Sequence, residues 1–286
     1  MSEALVKQFY TAQVRKEWRR LIKDPYHRLE LDTTLHFLDK YLPPGGLVLD
    51  AGGGPGRYTL ELAGRGHDVV LVDLTPANLT FARRQIKKAN LEARVKEFRE
   101  GSIVDLSSFA DQTFAAVVCT GGPLSHVLDP LDRDRAISEL IRVAKPGAPI
   151  FISVISRLAL LTLELTNTPD EIEQPRFLSI RDSGDYVGGY GFTCCHFFLP
   201  EEFLAAFTGK PVEVLEIAGL EGISTNHQRA LNQLHKNEER WRIWMETHFL
   251  TCTHPAIVGI SEHILLACRK KEEDYGHRTS DLLECH

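Results

Sequence analysis

The chain has 286 residues, of which 43% are hydrophobic and 25% charged, and it carries a net charge of −6. That length holds one large domain or two small ones with a full core, and no stretch approaches the roughly 20 apolar residues of a membrane helix. The acidic balance argues against a nonspecific grip on a polyanion, and the polar start MSEALVKQFY lacks the apolar run of a secretion signal, so the reading is a cytoplasmic protein with neither membrane nor nucleic acid as partner.

Apolar periodicity predicts an amphipathic helix over 2–22 and another from Leu29 to Tyr41, stopped by Pro43-Pro44-Gly45-Gly46. Short apolar strands then alternate with helices. The strands are Leu47 to Leu49, Val69 to Val72, Arg94 to Phe98, Phe114 to Cys119 and Pro149 to Val154. The helices are Tyr58 to Ala63, a segment from the Thr75 cap and Pro76 to about Ala89, and Asp132 to Ala144. A helix from Arg157 to Thr166 opens an irregular insertion (156–200) rich in glycine and aromatics. A helix at Pro200, a strand from Val212 to Ile217, a long helix from Asn226 to His248 and a last strand from Glu262 to Cys268 follow. The alternation implies an α/β, doubly wound, mostly parallel sheet covered on both faces. One domain is expected over 1–270, with a core at 45–155, a substrate cover at 156–200 and C-terminal elements at 200–270. The polar tail, 271–286, is expected to be disordered.

The six cysteines show no CxxC spacing, so they read as reduced thiols, and no metal site is expected. The informative segment is the loop after the first strand, Asp50-Ala51-Gly52-Gly53-Gly54-Pro55-Gly56. Glycines there allow a sharp turn and let a ligand lie against bare main chain. A dinucleotide fingerprint read from Gly52 places Arg57 where its third glycine belongs, which speaks against a nicotinamide enzyme. The acidic Asp50 at the strand end suits a cofactor bearing an ammonium group better than a pyrophosphate.

With this loop the chain resembles the class I S-adenosylmethionine-dependent methyltransferases, over about Leu47 to Val154 and more loosely over two later strands. The matching motifs are VLDAGGGPG, Asp73 closing VVLVD, Ser102-Ile103 in EGSIVDL, and Arg142-Val143-Ala144-Lys145-Pro146-Gly147-Ala148. The resemblance implies a seven-stranded Rossmann-like sheet and S-adenosyl-L-methionine as cofactor. It implies Asp73 on the ribose hydroxyls, Leu74, Ser102 and Ile103 around the adenine, Gly52, Gly54 and Gly56 at the methionine end, and Asp50 either orienting that loop or meeting the ammonium. Gly121 would meet the amino group and Arg28 the carboxylate, with a surface role as the alternative for Arg28. Serine at 102 departs from the family's usual aspartate, which puts that contact in doubt.

His126, beyond the fourth strand, is the candidate catalytic base, with a cap or packing role as its alternative. Tyr186, Tyr190 and His196 are candidate substrate-pocket residues, joined by Phe192, Phe197 and Phe198, and His196 and Tyr190 are second candidates for the base. Trp241, Trp244, Met245 and His248 share one helix face and read as core. The expected activity is in-line methyl transfer to a small-molecule acceptor. The alternatives are an RNA or protein methyltransferase, for which Arg83 to Arg99 offers a basic stretch, and a non-catalytic cofactor-binding protein. Acceptor identity and oligomeric state stay open.

Overall fold

The computed structural model describes residues 2–272; most of the expected disordered tail, including Cys285, lies outside the described residues. Two helices, α1 (Ser2–Arg20) and α2 (Pro25–Tyr41), precede the sheet. α2 begins earlier than its apolar pattern indicates, because Asp24 caps it, accepting the His27 N–H, and Pro25 stands at its first position.

The wound core follows as β1 (Leu47–Ala51), α3 (Arg57–Gly64), β2 (Asp68–Asp73), α4 (Pro76–Lys88), β3 (Val95–Glu100), β4 (Ala116–Cys119), α5 (Pro130–Val143) and β5 (Pro149–Ile155). Asn90 gives α4 a left-handed exit at φ 58°. The insertion is more ordered than its composition suggests. It holds α6 (Arg157–Asn167), α7 (Pro175–Ser183) and a small antiparallel pair, β6 (Asp185–Tyr186) with β7 (Cys195–His196). The end of the chain comprises α8 (Pro200–Ala205), β8 (Val212–Gly219), α9 (Gln228–Leu234), α10 (Glu238–Thr251), α11 (Pro255–Ile260) and β9 (His263–Lys270). The single long helix expected near 226–248 is thus two, since Asn237 turns the chain and caps α10 through the Arg240 N–H.

The sheet runs β3-β2-β1-β4-β5-β9-β8, parallel through β5 and antiparallel at β9 and β8. Strand alternation sorts its side chains into two cores. Leu49, Val70, Val117 and Ile152 pack with Ile137 and Leu140 of α5 and Phe203 of α8. Val48, Val69, Val118 and Phe151 pack with Leu38 of α2, Leu62 of α3 and Ile86 of α4. Trp241, Trp244 and Met245 pack on Tyr26, Leu29 and Leu231, as a core stripe should. Strand order reverses between β1 and β4, and it is beside this point, at the carboxyl edge, that open α/β sheets bind ligands.

Candidate functional site

The glycine loop crosses that edge between β1 and α3. Gly52, Gly54 and Gly56 have φ of 74°, 56° and 85°, the left-handed region that side chains avoid. Gly53 is glycine for a different reason: a Cβ would lie 2.4 Å from both Asp50 Oδ2 and Leu71 Cδ1. Asp73, at the end of β2, ties the loop to the next helix. Its Oδ2 accepts the Gly54 N–H at 2.8 Å, and its Oδ1 accepts the Thr75 N–H at 2.8 Å and Asn78 Nδ2 at 3.1 Å. Burial pushes the Asp73 carboxyl above its ordinary range, and these donors oppose the shift. Thr75 holds the N-cap position of α4, but its own side chain makes no capping bond.

A cleft lies above this loop. Gly52, Gly54, Asp73 and Leu74 border it from the β1–β2 edge, and Ser102, Ile103, Gly121 and His126 border it from the loops after β3 and β4. Three further cleft residues carry buried polar atoms with no hydrogen-bond partner among the described residues, Arg57 Nε, Asn78 Oδ1 and Thr120 Oγ1. Buried polar atoms are normally paired, so each marks a position where a polar ligand would complete the site.

Asp50 and Gly56 stand outside this lining. Asp50 is fully buried under the loop, where Oδ2 accepts from Thr59 Oγ1 at 2.5 Å. Burial raises its pKa to about 7. It therefore supports the loop and does not face the cleft. Gly56 opens α3 tightly against Ala82. Arg28 takes its alternative, surface role and not the cofactor-binding one: its side chain is 57% exposed and pairs with Asp32 one turn along α2, outside the cleft lining. Arg20 stands at the cleft in its place.

Arg20 belongs to a group that the sequence reading missed. Beside the cleft lies a second cavity of about 430 Å³ under the insertion, with Leu160, Phe177, Ile180 and Phe192 in its wall. Tyr10, Glu17, Arg20 and Gly121 border both spaces, and the first three come from α1. Their i, i+7, i+10 spacing puts them on one helix face. That spacing was the available signal, but it is hidden in an otherwise ordinary amphipathic pattern.

His126 is buried with both ring nitrogens engaged. Nδ1 lies 2.9 Å from the Cys194 carbonyl, which can only accept, so Nδ1 carries the proton. Nε2 then accepts from Tyr10 Oη at 2.8 Å. Burial lowers the His126 pKa and raises that of Tyr10, to which Glu17 adds. Both rings are thereby held neutral, and it is Tyr10 that reaches the second cavity.

Of the expected pocket residues, Tyr186 and Tyr190 line the second cavity with Phe192 and Phe197, and the Tyr186 hydroxyl donates to the Tyr190 carbonyl at 2.5 Å. Phe198 sits in the main core instead. His196 also lies elsewhere: it is 2% exposed and clamped between Asp185 and Glu202, each at 2.6 Å, with Arg157 on the far oxygen of Glu202 at 2.8 Å. This ion-pair chain fastens the β6–β7 pair to α8.

A second charged cluster backs the cavities. Arg20 donates to both oxygens of Glu30 and, through Nε, to Glu17 at 2.7 Å. His263 Nδ1 lies 2.8 Å from Glu221 and 3.6 Å from Glu30. Burial opposes charge on His263, but the two carboxylates outweigh it and raise its pKa to about 9. Although Glu30, Glu221 and His263 cluster closely enough to hold a metal ion, their facing atoms are already paired, and the group is an ion-pair network.

Residues 48–147 match the family model described as a methyltransferase domain. The chain is 36% identical over 135 residues to the ubiquinone biosynthesis O-methyltransferase of Hahella chejuensis, covering 46% of this chain and 53% of that protein. It is 34% identical over 114 residues to the protein of the same name from Xanthomonas campestris, covering 40% and 45%. The chain thus spans about half the length of the curated relatives it matches. A S-adenosylmethionine-dependent methyltransferase from Methanosarcina mazei aligns with 83% of this chain and 98% of its own at a TM-score of 0.58 and 20% identity. Magnesium protoporphyrin IX methyltransferase from Synechocystis aligns with 95% and 100% at 0.60 and 15%. Over this central segment the chain matches the methyltransferase-domain model and is similar to S-adenosylmethionine-dependent methyltransferases.

Proposed function

We propose that the protein transfers a methyl group from S-adenosylmethionine to a small molecule held under the insertion, with 1–270 working as one domain. The observation that carries this reading is that the cleft over the glycine loop and a largely apolar cavity beside it share Tyr10, Glu17, Arg20 and Gly121 in their walls. The cleft residues fit the cofactor. Asp73 offers its carboxylate to ribose hydroxyls, Leu74 and Ile103 offer apolar surface to the adenine, Ser102 stands beside that ring, and Arg20 replaces Arg28 as partner for the carboxylate. The unpaired Thr120 Oγ1 and Asn78 Oδ1 supply acceptors for its polar hydrogens. When bound, the cofactor supplies an electrophilic methyl on a sulfonium. The protein's part is to orient the acceptor and to exclude water, which the cover formed by α1, α6 and α7 supports.

The names of the Hahella and Xanthomonas relatives support an oxygen acceptor in a small molecule. Little favours a polyanionic substrate. In the basic stretch, Arg83 stacks on Phe98, Arg94 and Lys96 pair with Asp68, and Arg99 pairs with Glu97. No helix among the described residues is long and apolar enough to cross a membrane, and a cytoplasmic setting accords with this reading.

Thermal unfolding with and without S-adenosylhomocysteine tests the cofactor. Ligand at about 100 times its dissociation constant should add about 2.7 kcal/mol to the native chain and much less to Asp73→Ala. No stabilisation of the folded native chain would remove the methyltransferase reading.

A further inference from the structure

His126 cannot meet an acceptor molecule directly, because both its ring nitrogens are engaged, but the two bonds differ in kind. The Cys194 carbonyl keeps a proton on Nδ1. At Nε2 the ring offers a lone pair, and what fills it is the hydroxyl proton of Tyr10. A phenol that gives its proton away in this manner still has lone pairs on its oxygen. Tyr10 borders both the cleft and the cavity. A basic ring nitrogen is thus connected to the wall that the two spaces share by one oxygen atom.

The surroundings keep that connection in register. Phe192 lies against the His126 ring with centroids 5.6 Å apart, and Phe9 packs edge-on against Phe192 at 5.5 Å and against Tyr10 at 5.3 Å. Burial holds both polar rings neutral at rest, the state in which Nε2 is empty and Tyr10 has a proton to give. The other residues of the shared wall are less suited to receive a proton. Gly121 has no side chain, and a guanidinium such as Arg20 has no acceptor. Glu17 is a carboxylate, but it holds Arg20 Nε at 2.7 Å, and a proton placed on it would remove one of the two carboxylates that bind Arg20.

We propose that Tyr10 is a catalytic residue of the methyl transfer: its oxygen takes the proton of an uncharged acceptor while its own proton passes to Nε2 of His126. This rests on the methyl-transfer reading above and assigns the path of the proton within it. The bond formed joins the acceptor's nucleophilic atom to the methyl carbon. The bond broken is the carbon–sulfur bond of the sulfonium, whose electron pair stays on sulfur. The acceptor's bond to hydrogen breaks toward Tyr10 Oη and leaves its electron pair on the acceptor. The Tyr10 O–H bond breaks toward Nε2 and leaves its pair on Oη. Tyr10 ends as a neutral phenol. The positive charge that began on sulfur ends on the His126 ring, where the Cys194 carbonyl accepts from the other nitrogen, and the proton returns to solvent after the product has left.

The test uses sinefungin, an analogue of S-adenosylmethionine that has an amine on carbon in place of the methyl on sulfur and so puts N–H donors where the methyl would lie. Its affinity and that of S-adenosylhomocysteine are measured by calorimetry on the native chain, Tyr10→Phe and Glu17→Gln. The preference for sinefungin over S-adenosylhomocysteine should fall about tenfold in Tyr10→Phe, the loss of a hydrogen bond to a charged group, and by less in Glu17→Gln. A second readout needs no variant. In native protein with isotope-labelled histidine, the Nε2 resonance of His126 is assigned by its through-space contact with the Tyr10 ring, whose centroid is 5.3 Å away. On exchange of S-adenosylhomocysteine for sinefungin it should move toward the imidazolium position, because a donor on Tyr10 Oη strengthens the bond from Tyr10 to Nε2. A cation nearby without that bond would push it the other way, and a line with only a structural role would leave it in place. Either of those spectra overturns the proposal. So does an unchanged preference in a folded Tyr10→Phe protein, or a larger loss in Glu17→Gln. If neither compound binds the folded native chain, the methyl-transfer reading fails and this proposal with it; if both bind and Tyr10 makes no difference, only this proposal fails.

Discussion

Tyr10 donates its phenolic proton to Nε2 of His126 across 2.8 Å, and the Cys194 carbonyl accepts the proton on the other nitrogen. One hydrogen-bonded line thus joins the N-terminal helix, the turn after β4 and the insertion. Tyr10→Phe would leave a buried nitrogen lone pair without a donor. The expected loss is about 1–3 kcal/mol, read as a lower urea midpoint with the slope unchanged. A midpoint equal to that of the native chain would mean the line does not bear on the fold.

Arg20 and Arg28 should behave as opposites. Removing Arg20 leaves Glu30 buried with a charge that His263 alone must balance, and breaking a buried pair in this way costs about 3–5 kcal/mol. Arg28→Ala removes only an exposed i, i+4 pair, with an expected effect within about 0.5 kcal/mol. Affinity for S-adenosylhomocysteine, measured by calorimetry, should be unchanged in Arg28→Ala and reduced in Arg20→Lys, which keeps a charge but loses the two-pronged grip on Glu30. Equal affinities in the two variants would return the carboxylate partner to an open question.

This contrast also shows what could be read from the residues. The sheet was legible because each strand is a short apolar run closed by glycine, proline or an acidic residue, and the cofactor cleft because its residues sit at strand ends in sequence order. Nothing in the residues around Arg28 tells which way it faces; in the structure Pro25-Tyr26-His27 are the first turn of α2, and Arg28 is exposed beside Asp32. His196 was drawn into the pocket by the aromatics around it, although alternation in β7 sends its side chain to the face opposite its neighbour Cys195, toward Glu202. The junction escaped notice because α1 lies far from Gly121 in sequence, and no local pattern reports which helix will close over a sheet edge.

Stability should fall as pH rises from about 6.5 to about 9. An unfolded histidine titrates near 6.5, whereas His263 in the fold holds its proton to about 9. The native state therefore binds more protons across that window, so stability is complete below it and lost on passing through it. The size is on the order of 3 kcal/mol. Urea midpoints across this range should trace the decline, and His263→Gln should flatten it. A native protein whose midpoint rises over the same interval would contradict the charged state assigned to His263.

Gly53 and Gly64 separate steric need from loop convenience. A Cβ at Gly53 collides with Asp50 and Leu71, whereas one at Gly64, at the end of α3, meets nothing within 4 Å. Gly53→Ala should destabilise by about 1–3 kcal/mol and weaken S-adenosylhomocysteine binding, since the loop must shift. Gly64→Ala should be neutral or add up to about 1 kcal/mol. Thermal melts of both, with and without ligand, check the pair; a Gly53→Ala protein that melts and binds as the native chain does would show that the loop has room to spare.

The matched domain begins at Val48 and ends at Gly147, while Tyr10, Glu17 and Arg20 come before it and His263 and the insertion come after it. The part that matches the family model holds the glycine loop and most of the cleft proposed for the donor. The part that meets the incoming molecule is written in flanking segments free to diverge. On the proposed reading, selectivity can change hands through the segments that flank the matched domain, while the glycine loop stays as it is.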